Sequence, residues 1–425
     1  RAGGRQVLQL HLHGYASTQE MLYPRGARDE AEKSWTNESA GGRYYPRQDR
    51  EFLPHRRLRE EGMKAVFSPG PSYLSPEVRK YAGWVRILDL YKVALEELGY
   101  EVFIPKVDPK LIDQSSTVSK ILSYDIVAAS QLPEEVDLFL GPPGYSLAQV
   151  MKLRGHSDTT SSFKAGANSR VFLYIWNNSD NWRDAQLREE YTKFGRRYDT
   201  SPTWRWINRT ALEMSDWVIA CSPWVKKTHS EIVREEKILM ALWGVDSTTF
   251  TPAEKPLPTD GVMRILFVGG DPIRKGLIYL LQGLPRDMER VELWIAGCAP
   301  LQEEPYRIKQ LGMVPHNQMP ELYQSCHALV LPSLEDGVAL CVQEAMASGL
   351  VAVTSPETGE VFEDGESGIV VPYRDVDAIA RAILLLRDNP AIREQIGHKA
   401  RALAITQTWE TTKQQFKEAI LRGLH

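Results

Sequence analysis

From residue 63 onward, short apolar runs alternate with longer stretches in which apolar positions recur at helical spacing. The runs at 64–68, 101–105, 125–129, 137–141, 170–176 and 217–220 predict strands, and the amphipathic stretch 84–98, ended by Gly99, predicts a helix. Runs at 264–268, 291–296, 328–331 and 350–353 predict a second set of strands, with helices over 376–387, 391–404 and 409–424. Strands separated this regularly by helical text form parallel sheets covered on both faces. Between the two sets, residues 251–260 (TPAEKPLPTD) hold three prolines and few apolar residues, and read as a linker. The fold class is therefore α/β, with two domains that meet near residue 255.

The first 61 residues break this pattern. Residues 7–13 (VLQLHLH) alternate like a strand and put His11 and His13 on one face, with no third ligand that would complete a metal site. Residues 34–61 are polar, with arginines and aromatic residues interleaved. They read as a solvated extension, or alternatively as a contact for anionic lipid or a glycan.

Composition narrows the picture further. The 425 residues carry a net charge of −4 with 25% charged side chains, so no long-range attraction to nucleic acid is expected. Cys221, Cys298, Cys326 and Cys341 show no CxxC spacing and lie in apolar segments, as reduced core thiols do. No run of 18 apolar residues predicts a membrane helix, and no apolar signal-like run follows Arg1, whose position suggests a trimmed start. A cytoplasmic protein is expected, with membrane contact peripheral at most, on the inner face. In that compartment the sequons at Asn37, Asn177 and Asn208 are chance matches.

The candidate chemistry centres on residues 331–349 (LPSLEDGVALCVQEAMASG). An apolar strand end enters a short acidic turn, and a helix-forming run follows from Gly337 that is apolar on nearly every face and must be buried. The backbone N–H groups of Gly337, Val338 and Ala339 would then lie at a positive helix end, where an anion is welcome. Asp336 and Glu344, eight residues apart, would sit roughly 80° apart in azimuth and about 12 Å apart in height. Two carboxylates flanking an anion site suit a ligand with a charged middle and hydroxylated ends, such as a nucleotide sugar. The plainer alternative is a helix-capping Asp336 and a solvated Glu344. After the run 264–268, Gly269 and Gly270 let the backbone turn tightly, and Arg274 and Lys275 stand at the mouth of the next helix, as a diphosphate needs.

The segment PSLEDGVALCVQEAMASG resembles the acidic signature of retaining glycosyltransferases of family 4, in which an acid is followed after seven residues by Glu-Ala-Met-Ala and a Gly. Glu344, Ala345, Met346, Ala347 and Gly349 match it; the first acid falls in register at Asp336, with Glu335 one place early as the fallback. Lys275-Gly276 is kept, whereas Gly270 stands where the family has Arg. Arg274 would supply that charge. The opening unit with its loop at Gly70 is similar to the family's acceptor domain, although Gly70 serves equally as a turn residue. Relatives keep a His where this chain has Asn178, Ser179, Asp180 and Asn181; Asp180 is the substitute, or a helix cap. The stretch 311–323 resembles the one that meets the nucleotide base through backbone around Val314, with His316 a loop residue beside it rather than a ligand or base.

The resemblance implies a GT-B architecture of two doubly wound, Rossmann-like α/β domains facing across a cleft: an extension at 1–61, an acceptor-binding domain at 62–255, a nucleotide-sugar donor domain at 256–405, and a final helix at 406–425 packed back on the first domain. It implies a metal-independent hexosyltransferase with no cofactor, moving a sugar with retention from a UDP-sugar or GDP-mannose to a hydroxyl of a glycan, lipid-linked sugar or small molecule. Arg274 and Lys275 would stabilise the leaving diphosphate, Asp336 would hold sugar hydroxyls and Glu344 the ribose. Two other classes fit the same architecture. One is a non-catalytic nucleotide-sugar or glycan-binding protein, favoured by Gly270 and the missing His; the other is a nucleotide-sugar epimerase.

Overall fold

The computed structural model describes residues 62–73, 75–155, 169–198, 200–254, 260–285, 290–297, 307–358 and 362–425. The expected strand at 7–13 with His11 and His13, the basic and aromatic stretch 34–61, Asn37, Cys298 and residues 255–259 of the linker lie outside the described residues.

Among the described residues, two parallel sheets of six strands each form the frame. The first contains β1 (Lys64–Phe67), β2 (Glu101–Phe103), β3 (Leu138–Gly141), β4 (Arg170–Ile175), β5 (Trp217–Ala220) and β6 (Ile238–Met240), in the order β2-β1-β3-β4-β5-β6. The second contains β7 (Met263–Val268), β8 (Val291–Ala296), β9 (Ile308–Gly312), β10 (Ala328–Leu331), β11 (Val351–Thr354) and β12 (Ile369–Val370), in the order β12-β11-β10-β7-β8-β9. Every residue of β3, β10 and β11 is buried, which is why these strands read as continuous apolar runs rather than alternating ones. In each sheet the chain winds outward and then returns to the other side, between β1 and β3 and between β7 and β10. Crevices open at the carboxyl ends of the strands where the winding reverses.

The helices that cover the first sheet are α1 (Pro76–Tyr81), α2 (Trp84–Glu97), α3 (Thr117–Ser130), α4 (Leu147–Leu153), α5 (Asp180–Lys193), α6 (Pro202–Met214) and α7 (Pro223–His229). Those of the second are α8 (Leu277–Gly283), α9 (Met319–Gln324), α10 (Leu340–Ala347), α11 (Val376–Asp388) and α12 (Pro390–Ala404). The expected strand at 125–129 is a correction: these residues belong to α3. Ser116 caps that helix on the Ser119 N–H at 3.0 Å, and its buried positions Ile121, Tyr124, Asp125, Ala128 and Ala129 follow helical spacing. A five-residue apolar run does not by itself separate strand from buried helix. Asp125 is buried because its carboxylate accepts the N–H of Ala148 at 2.6 Å and the Gln149 side-chain amide at 3.0 Å.

The last helix, α13 (Trp409–Leu424), returns to the first sheet. Thr408 begins it in a capping box and pairs with Val245 in a parallel bridge. Phe416 stacks on Tyr91 of α2 at 4.1 Å, and the Trp217 indole N–H donates to the Gly423 carbonyl at 2.8 Å. Among the described residues, no helix is long and apolar enough to cross a membrane. Phe416 is fully buried, so Phe416→Ala should cost about 3–5 kcal/mol in urea unfolding, against a change near ~0.5 kcal/mol or less for Leu385→Ala at an exposed site. Equal effects from the two would contradict this packing of α13.

Candidate functional site

The turn after β7 and the turn after β10 meet at the reversal point of the second sheet. The Asp271 carboxylate accepts the N–H groups of Ile273 (3.1 Å) and Arg274 (3.0 Å) and so folds the first turn. Gly276 ends it at φ +74°, with a Cβ there placed 1.9 Å from the Pro332 carbonyl oxygen; only glycine permits this approach. The Leu334 N–H donates to the Arg274 carbonyl at 2.8 Å and joins the two turns. The Lys275 stem lies across Gly269, and Gly270 beside it faces Gly297.

The side chains that result form a compact charge cluster. Lys275 Nζ contacts the Asp336 carboxylate directly. Arg274 donates to the Glu335 carboxylate at 3.2 Å and lies 3.8 Å from Asp336. Burial works against the Arg274 charge, but the carboxylates of Asp336, Glu335 and Asp271 outweigh it and hold the guanidinium above its ordinary pKa. Glu335 is 0% exposed, and it is also reached from the first sheet. The Asn178 amide donates to its carboxylate at 3.2 Å and to the Asp336 carbonyl at 3.0 Å, while Arg183 Nε stands 3.7 Å away.

The helix expected from Gly337 starts later, at Leu340, with Ala339 as its cap. A Cβ on Gly337 would sit 1.9 Å from the Trp176 carbonyl oxygen, and its own carbonyl accepts from Ser222 Oγ at 2.7 Å. The chain bends at Gly337, where the two sheets approach this closely, and the Ala339 N–H is already donated to the Thr358 carbonyl at 3.2 Å. Gly337, Val338 and Ala339 are therefore not the first turn of a helix, and Asp336 and Glu344 do not share one. Glu344 projects from α10 into a separate buried network: His316 Nε2 lies 3.1 Å from one carboxylate oxygen and the Tyr323 hydroxyl donates to the other at 2.8 Å. Burial first, and then the Glu344 charge, raise the Tyr323 pKa well above its ordinary value, so it remains a donor. Val314 precedes His316 in the loop after β9 and packs against the second core. Lys275, Glu344 and Asp336 all act on the Cys341 thiol, which burial pushes up to about 12, so the two networks border one turn of α10.

The first sheet faces this cluster with the loops after β1, β3 and β4. Gly70, at φ +91°, lies against the Tyr145 ring, and Gly83 at the start of α2 approaches both His316 and Glu344. A cavity of about 600 Å³ is lined by the loop after β3, the end of β4, and residues of α5, α6 and α7. Asp180 lines it and accepts from the Asn208 amide at 2.8 Å, with Arg183 at 3.8 Å. Of the residues singled out in the sequence, Arg274, Lys275 and Asp336 are brought into contact. Glu344 sits one network away, and Gly70 and Asp180 lie on the opposite wall. Sequence reasoning missed Gly83, Arg183, the inter-sheet role of Asn178 and the pairing of His316 with Glu344. Among the described residues, no group of three or more His, Cys, Asp or Glu is placed to hold a metal ion.

Residues 263–389 match the family model Glycosyl transferases group 1. This segment contains both the charge cluster and Glu344. Alpha-maltose-1-phosphate synthase of Mycolicibacterium smegmatis is 26% identical over 252 residues, which covers 50% of this chain and 65% of that protein. The chain spans less than two thirds of the length of this and the next curated relatives it matches. Among solved structures, sucrose-phosphate synthase from Thermosynechococcus elongatus is similar over 84% of this chain and 98% of its own, with a TM-score of 0.67 at 18% identity. Anabaena HepE, solved in complex with UDP and glucose, is similar over 85% and 100%, with a TM-score of 0.58 at 17% identity. The fold is GT-B, and residues 263–389 are similar in sequence to group 1 glycosyl transferases.

One residue of the cavity wall carries a pH signature. His229 is buried with Nδ1 2.9 Å from the Val225 carbonyl, and burial, only partly offset by that bond, pushes its pKa down to about 4. The unfolded chain takes up this proton from about pH 6.5 downward and the folded chain does not, so stability present above that pH falls toward pH 4, by at most ~3 kcal/mol. His229→Gln should flatten this limb in urea titrations. An unchanged slope would contradict a neutral buried imidazole.

Proposed function

We propose that the protein is a retaining glycosyltransferase of the family 4 type, moving a hexosyl group from a nucleoside-diphosphate sugar to a hydroxyl acceptor in glycan or glycolipid synthesis. The observation that carries this reading is the joining of Arg274, Lys275, Glu335 and Asp336 at the reversal point of a doubly wound sheet, inside the segment that matches group 1 glycosyl transferases. HepE, a neighbour in fold, is named as binding UDP and glucose, which supports a nucleotide-sugar donor.

In this reading the diphosphate takes up Lys275 and Arg274, and Asp336, released from Lys275, accepts hydrogen bonds from the sugar hydroxyls. As the bond between the anomeric carbon and the diphosphate breaks, the acceptor oxygen bonds to that carbon on the same face and its proton passes to the leaving phosphate oxygen. Negative charge grows on that oxygen as the bond breaks, and the two cations stabilise it more than they do the ground state. Glu344, oriented by His316 and Tyr323, receives the ribose hydroxyls. With this charge supplied by side chains, the transfer proceeds without a metal.

The test is turnover of a panel of UDP-, GDP- and ADP-sugars with mixed acceptors, with and without EDTA, and with the product anomer read by NMR. One donor should be used with retention and without loss in EDTA. Lys275→Ala should lower kcat by about 10²–10³-fold. A near-normal rate in that variant would overturn the assignment of Lys275, and binding without nucleotide release would favour a binding protein.

A further inference from the structure

We propose that the cavity beside the Glu335–Asp336 turn is an acceptor subsite for an uncharged pyranose ring, with His229 Nε2 positioning one of its hydroxyls. The proposal rests on the transferase reading above and names the chemistry of its acceptor.

The cavity is walled by aromatic faces. The Trp204 indole lies directly over Gly144, where a Cβ would fall 2.2 Å from the ring, and Tyr145 meets Trp204 edge-on at 6.0 Å. Trp206, two residues along α6, lines the same cavity yet is 57% exposed. A tryptophan left that open at a cavity mouth, with two more rings behind it, is suited to the apolar face of a sugar ring.

Hydrogen-bonding groups stand on the inner wall. A carbonyl only accepts, so the contact with Val225 places the His229 proton on Nδ1 and leaves the Nε2 lone pair free. The low pKa of His229 keeps it in this neutral form at physiological pH. Tyr174 and Asn178 also line the cavity, and the hydroxyl of one and Oδ1 of the other are buried without a hydrogen-bond partner in the protein. Asn178 uses its amide nitrogen on Glu335 and the Asp336 backbone, so the group left open toward the acceptor belongs to the same side chain that touches the donor cluster.

Charge decides between a neutral and an anionic acceptor. Three arginines line the cavity, and each faces a carboxylate: Arg183 with Glu335 at 3.7 Å, Arg205 with Asp184 at 2.7 Å, and Arg209 with Glu213 at 2.8 Å. Asp180 adds a negative group. Among the described residues, a phosphate or carboxylate entering here meets cations that already face carboxylates, with the buried Arg183 Nε alone of the three guanidinium groups left without a hydrogen bond, whereas a ring bearing only hydroxyls finds donors, acceptors and flat apolar walls.

Calorimetry on the full chain with maltose and mannobiose as neutral probes, and glucose 6-phosphate and glucuronic acid as anionic ones, tests the proposal. At least one neutral disaccharide should bind more tightly than either anionic sugar, and Trp206→Ala should weaken it tenfold or more with an unchanged thermal midpoint. Tighter binding of an anionic sugar, or undiminished neutral binding in Trp206→Ala, would overturn it. In transfer assays His229→Phe should raise the acceptor KM at least tenfold with kcat within about threefold, and His229→Gln, which keeps an acceptor atom, should recover most of the loss. A fall in kcat at unchanged KM would overturn the positioning role. Neutral-sugar binding in a protein that binds no nucleotide sugar would leave the subsite standing and remove the transferase reading.

Discussion

Glu335 has no access to solvent, and its carboxylate is reached by Asn178 and Arg183 from the first sheet and by Arg274 from the second. A buried carboxylate is costly unless its lone pairs are met, and breaking such an arrangement on one side leaves an uncompensated charge. Both sheets are therefore tied to one group. Beside it, Gly337 passes so close to the Trp176 carbonyl that no side chain fits. These two contacts place the loop after β10 against the end of β4, and they set where Asp336 can meet Lys275.

Helix α5 extends the same coupling. Its first turn carries Asp180 and Arg183 at the cavity, and its last turns hold the second sheet: Arg374 bonds Glu190 at 2.5 Å, Tyr279 bonds the same carboxylate, and Tyr191 bonds Asp271. Leu187 fills the space between, packed with Ile273, Ile278 and Leu334. Asp271 is also the residue that folds the turn bearing Arg274 and Lys275. One helix thus links the cavity at the end of β4 to the turn that presents the two cations.

Much of this was legible in the sequence because it is local. The apolar runs of β3, β7, β10 and β11 mark strands buried on both faces, and Lys275-Gly276 and the acidic turn announce themselves by spacing. The run at 125–129 misled because five apolar residues fit either a strand or a buried helix. The start of α10 was misplaced because Gly337 reads as a helix opening, whereas its role is set by a carbonyl of the other sheet. Arg183, Glu190 and His316 owe their positions to partners between 28 and 184 residues away, and Gly83 to His316 and Glu344, which are farther still along the chain; no local pattern carries that information.

The central claim is that the charge cluster at the reversal point is a diphosphate site whose ion pairs exchange partners when the donor binds. The most direct measurement is a crystal structure of the protein with a bound nucleoside-diphosphate sugar. The account predicts the diphosphate on Lys275 and Arg274, with the Asp336 carboxylate turned to the sugar and Glu335 still held by Asn178. A nucleotide bound elsewhere, or a bound donor with Lys275 still paired to Asp336, would contradict it.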